Sequence, residues 1–123
     1  MKKKIYYWAP FFSNIATTKA VINSAVSFKR FSSKYEPVII DVFGEWDNYE
    51  EIFSKNKISI EKLNLNNFFK EKNIRGYLKS RYYQTKIFLL AFLPLLKLLK
   101  KNRPDFIILH LVTSLPLFLN MVF

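Results

Sequence analysis

The chain of 123 residues has no cysteine, one histidine and two glycines. Without thiols there is no disulfide framework and no thiolate metal site. A single histidine excludes a multi-histidine centre, so no metal site is expected. Gly44 and Gly76 stand alone. That excludes a Walker A loop and a G-x-G-x-x-G fingerprint, which need backbone to approach phosphate with no side chain in the way. These absences argue against a self-sufficient nucleotide enzyme, and no cofactor is expected. Long uninterrupted apolar runs are scarce as well. Ile5 to Ala9 is only a short run before Pro10, too short for a secretory signal core. Pro94 interrupts Ile87 to Leu96, and His110, Thr113, Ser114, Pro116 and Asn120 break residues 106–123. Neither stretch reads as a spanning helix, which needs about 20 mostly apolar residues. A reducing, cytoplasmic setting is compatible with all of this.

Acids are the other scarcity: 9 Asp and Glu against 20 Lys and Arg, a formal net charge of +11. The excess is concentrated. Residues 70–103 carry ten basic side chains and one acid, a net of +9. They also carry Tyr77, Tyr82, Tyr83, Phe88 and Phe92. Basic, aromatic and apolar residues together mark an interfacial helix on anionic lipid, with Lys79, Arg81 and Lys86 as the expected membrane contacts. Two plainer readings stand beside it: a lysine-rich coding bias, and a crossover helix whose apolar face simply covers a sheet. No nucleic-acid motif is present, and no nucleic-acid partner is expected.

Half of the residues are hydrophobic, which argues for one folded domain and against disorder. Lys3 to Ala9 reads as a buried strand. A helix follows from the cap candidates Ser13, Asn14, Thr17 and Thr18 to about Ser32 and Ser33. Val38 to Phe43 is a second strand, closed by Gly44. Asp47 starts a short helix around Tyr49 to Phe53. Ile58 to Leu63 alternates and predicts a more exposed edge strand, followed by a polar loop from Leu65 to Asn73. A long helical pattern runs from about Gly76 to Lys101, kinked or divided at Pro94 and stopped by Pro104. Phe106 to His110 is a further strand, and Ser114 a candidate cap for a following helix. Alternating strands and helices predict an α/β fold: a Rossmann-like parallel sheet of about four strands with flanking helices. With the strand order 3-2-1-4, the loop after the first strand faces His110 to Ser114 at the carboxyl edge, where such sheets bind ligands.

Several polar residues fall on that edge. Thr17 and Thr18, at a helix amino end, suit a phosphate or a sugar hydroxyl; ordinary capping is the simpler reading. His110 can orient or deprotonate an acceptor hydroxyl, or be half-buried and bonded to backbone. Glu45 can hold sugar hydroxyls and Trp46 can stack on a sugar face, or both can belong to a solvated turn.

Taken in order, Lys3-Lys4-Ile5-Tyr6-Tyr7-Trp8-Ala9-Pro10, Thr17-Thr18-Lys19-Ala20-Val21-Ile22-Asn23-Ser24, Gly44-Glu45-Trp46, Leu78-Lys79-Ser80-Arg81 and Arg103-Pro104-Asp105-Phe106-Ile107-Ile108-Leu109-His110-Leu111 resemble the amino-terminal domain of family 4 glycosyltransferases. These are the retaining enzymes of GT-B fold that build polysaccharides. The resemblance spans nearly the whole chain. It implies one partial acceptor-side domain over residues 1–123, with the donor-binding domain absent and the chain truncated before the amino-terminal domain is complete. It implies a first loop at Ala16, Thr17 and Thr18 close to the donor phosphates, although Ala16 stands where the family often has glycine. It implies an acceptor side at Glu45, Trp46, Thr113 and Ser114 with His110 as the catalytic candidate. The expected partners are a sugar or lipid-linked acceptor, an anionic membrane surface on the cytoplasmic face, and a separate donor-binding domain. The isolated chain is expected to be inactive. The alternatives are a non-enzymatic basic α/β module that binds membrane or a partner protein, and a small nucleic-acid-binding protein.

Overall fold

The computed structural model describes residues 1–10, 16–69 and 76–109, without the side chains of Ala16, Thr17, Tyr77 and Ser80. In chain order the elements are β1 (Lys3–Trp8), α1 (Ala16–Phe31), β2 (Tyr35–Asp41), a 3-10 turn (Asp47–Tyr49), α2 (Glu50–Lys55), β3 (Ser59–Lys62), a second 3-10 turn (Asn66–Phe68), α3 (Tyr77–Asn102) and β4 (Phe106–Leu109). The four strands form one parallel sheet in the order β3-β2-β1-β4. The fold is Rossmann-like α/β, and of the arrangements open to the sequence it takes the order 3-2-1-4.

The apolar run of β1 is buried on both faces because successive side chains point to opposite sides. Tyr6 and Trp8 join Val38, Ile40 and Val42 against Ile87, Phe88, Ala91, Leu95 and Leu99 of α3. Ile5, Tyr7 and Ala9 join Ile39 on the other face, against Val21 and Ala25 of α1 and Phe53 of α2. The sheet is thus the middle of three layers. Burial of each large apolar side chain contributes about 1.5–3 kcal/mol, and every strand residue from Ile5 to Trp8 is buried.

Polar ties fix the layers. The Tyr7 hydroxyl and Ser24 Oγ of α1 lie 2.8 Å apart, and Asn102 Nδ2 at the end of α3 donates to the Tyr6 hydroxyl at 2.8 Å. Asp105 pins β4 to β1: its N–H donates to the Lys4 carbonyl at 3.0 Å, and its Oδ2 accepts the Lys4 N–H at 2.9 Å. Arg103 ends α3 in a left-handed conformation (φ +43°), its N–H donating to the Leu99 carbonyl.

Two local expectations change. The segment after β3 is not simply a polar loop: Leu65 and Phe69 flank the second 3-10 turn and enter the α3-side core. Two apolar residues a turn apart suffice to seat a segment that is polar on average. Pro94 does not divide α3, which runs unbroken from Tyr77 to Asn102. The packing of Ala91, Leu95 and Leu99 against the sheet holds the helix across the missing proline N–H.

Candidate functional site

The carboxyl edge of the sheet is built from the ends of four strands. Trp8 and Leu109 are register partners, so β1 and β4 end level with one another. This is the point at which strand order reverses, where open α/β sheets receive ligands. His110 follows Leu109 directly in sequence; His110, Thr113 and Ser114 lie outside the described residues. Ala16 and Thr17 open α1, with side chains outside the description. Thr18, the third residue of α1, is 2 % exposed, and its Oγ1 has no hydrogen-bond partner among the described residues. A buried hydroxyl in the first turn of a helix, beside the partial positive charge of that terminus, is suited to an anionic or hydroxyl-bearing group.

At the end of β2, Glu45 is joined by Asp41, a residue that the sequence did not single out. Asp41 and Glu45 are both buried and close the turn between β2 and α2. Glu45 accepts the Val42 N–H at 3.0 and 3.1 Å and the Phe43 N–H at 2.9 Å. Asp41 Oδ1 accepts the Gly44 N–H at 2.6 Å. Burial, and next the charge of Asp41, push the Glu45 carboxyl well above the usual carboxylate range, against the pull of the two backbone N–H groups. A neutral Glu45 has a proton to donate to Asp41, whose Oδ2 is otherwise buried without a donor among the described residues. Gly44 permits the turn. Its φ is +93°, and a Cβ there would lie 2.8 Å from Asp47 Oδ2. The signal for Asp41 was an acid closing a β-branched run three residues before the glycine.

This geometry corrects the acceptor role expected for Glu45 and Trp46. Both oxygens of Glu45 are committed to backbone. The indole of Trp46 is fully buried, with Tyr49 at 5.8 Å and Phe53 at 5.6 Å between ring centroids. It has no open face for a sugar, because α2 folds back over it. Next to this turn Lys62 pairs with Glu50, and with Asp47 at 3.3 Å. Those bonds, Glu50 first, raise its pKa. Among the described residues no three of His, Asp and Glu converge as metal ligands.

The basic residues divide. Lys79 and Arg81 are exposed on the first turns of α3. Lys86 is half-buried and engaged: its ammonium donates to the Phe68 carbonyl and sits 5.2 Å from the Phe69 ring and 5.6 Å from that of Tyr83. It clamps the second 3-10 turn to α3, which makes it a poor lipid contact. A hollow of about 310 Å³ lined by Ser24, Ser27, Phe28, Phe31 and Ser32 lies along the carboxyl-terminal half of α1. It therefore opens toward the amino edge of the sheet, away from Thr18. Comparison with protein-family models, curated proteins and solved structures finds no match to the chain.

Proposed function

We propose that the chain is the acceptor-side module of a sugar transferase of polysaccharide or cell-surface glycan assembly, acting with a separate donor-binding domain at the cytoplasmic face of a membrane. The observation that carries this reading is the strand order. β1 and β4 end level at the reversal point of the sheet, with the buried Thr18 hydroxyl, which has no partner among the described residues, in the first turn of the helix that follows β1. The ordered resemblance of the sequence to family 4 glycosyltransferases adds the sugar chemistry. In this reading Thr18 and the amino end of α1 receive a phosphate or sugar hydroxyl, and His110 orients the acceptor hydroxyl.

A polyprenyl-diphosphate-linked sugar in detergent micelles, against the detergent alone, tests the reading. Titration is expected to shift amide NMR signals at Thr18 and Lys19, and Thr18→Val is expected to weaken the response several-fold. Absence of any shift, or the same response to detergent alone, would overturn it. The pure chain alone is expected to transfer no sugar from a nucleotide-sugar. The second reading, a non-enzymatic module that binds a membrane, is favoured by the outer face of α3.

A further inference from the structure

α3 is apolar on two sides. Its inner side, with Ile87, Phe88, Ala91, Leu95 and Leu99, covers the sheet. Its outer side carries Leu78 at 82 % exposure, Tyr82 at 63 %, Leu89 at 68 % and Leu93 at 62 %. At about 100° per residue these four fall within roughly 60° of arc, a single stripe along the helix. Cations flank it. Lys79 and Lys97 lie on one side and Arg81 on the other, with Lys100 at its far end; all four are exposed. Between Tyr77 and Arg103 there are seven Lys and Arg and no Asp or Glu.

From this surface we infer that α3 docks the module on an anionic lipid bilayer, lying in the plane of the interface with Leu78, Tyr82, Leu89 and Leu93 entering the acyl boundary. The occupant follows from charge. A surface with cations on both flanks and no acid along the helix complements a sheet of anionic headgroups. By length and composition alone residues 81–102 are apolar enough to cross a membrane. A crossing helix would have to abandon Tyr6, Trp8, Val38 and Ile40, which its inner side covers. It would also carry Lys86 and Lys97 into hydrocarbon. An in-plane helix keeps the core and places Lys97 at headgroup level. This docking stands independently of the sugar reading.

Co-sedimentation of the full chain with vesicles is the test, using phosphatidylcholine alone and phosphatidylcholine mixed with phosphatidylglycerol. Binding is expected with the anionic vesicles only, with release at high salt. The triple variant Lys79→Gln, Arg81→Gln, Lys97→Gln is expected to partition about 100-fold more weakly. Leu89→Ser with Leu93→Ser is expected to lose about tenfold or more, without a change in melting temperature. Leu78→Ser with Tyr82→Ser serves as an independent pair should the first fail to fold. Equal binding to neutral vesicles, no binding to either, or wild-type binding by the variants would overturn the inference. So would resistance to an alkaline carbonate wash, which marks a spanning helix. A lipid-free dimer dispersed by Leu89→Ser with Leu93→Ser would assign the stripe to a second copy instead.

Discussion

Glu45 is where one side chain links sequence, stability and pH. Buried beside Asp41, it holds its proton well above the usual carboxylate range. Its pKa is therefore higher in the folded chain than in the unfolded one. Stability from this group is fully present below the unfolded value and is lost as pH rises through the folded value. The melting temperature is expected to fall as pH rises from mildly acidic toward neutral and beyond, opposite to the trend for an ion-paired carboxylate. In Glu45→Gln that dependence should flatten, because the amide keeps an acceptor for Val42 and Phe43 and offers Asp41 a donor that does not titrate. Thermal melts across pH check this; a Gln variant with the wild-type slope would place the dependence elsewhere. None of this was legible in Gly44-Glu45-Trp46 as a string. An acid and a tryptophan after a strand look the same whether they face a ligand or a core, and only the fold of α2 over Trp46 separates the two.

The helix α3 shows what an element's pattern does and does not carry. Its length, its stop near Pro104 and its cationic composition were all readable from residues 76–104. Its two apolar sides were not, because leucines and phenylalanines surround the whole circumference and no single stripe stands out. The sheet selects one side. Truncation therefore has opposite consequences one turn apart or less. Leu95→Ala, in the core against β1 and β2, is expected to cost about 2–5 kcal/mol. Leu93→Ser, on the exposed stripe, is expected to stay within about 0.5 kcal/mol. Denaturant unfolding of the two variants measures the contrast. Equal losses would show that the outer side is covered. Lys86 makes the same point for charge: grouped with Lys79 and Arg81 by composition, it is separated from them by the carbonyl of Phe68.

At the scale of the whole molecule the sheet is shared by both layers, with alternate residues of β1 and β2 serving opposite cores. Damage on one side is therefore felt on the other. Val21→Ala beneath α1 and Leu95→Ala beneath α3 are each expected to lower one and the same unfolding transition, seen by near-ultraviolet and far-ultraviolet circular dichroism alike. Two separable transitions would mean that the layers fold independently. The sequence by itself determined the α/β class, the parallel sheet and the positions of β1, β2, α1, α3 and β4. Those depend on contiguous apolar runs and breakers, which act over a few residues. The strand order was only one arrangement the sequence allowed, because the long connection from β3 to β4 can return to either side of the sheet; the structure places β4 beside β1. Tertiary structure alone decided that Leu65 and Phe69 enter the core, that Glu45 and Trp46 are enclosed, and which side of α3 is left to solvent. Leu65, Phe69 and the inner side of α3 are placed by Tyr6, Trp8, Val38 and Ile40, and Trp46 by a core that includes Ile5, Tyr7 and Val21; burial against an element distant in sequence leaves no local mark on the residue that is buried.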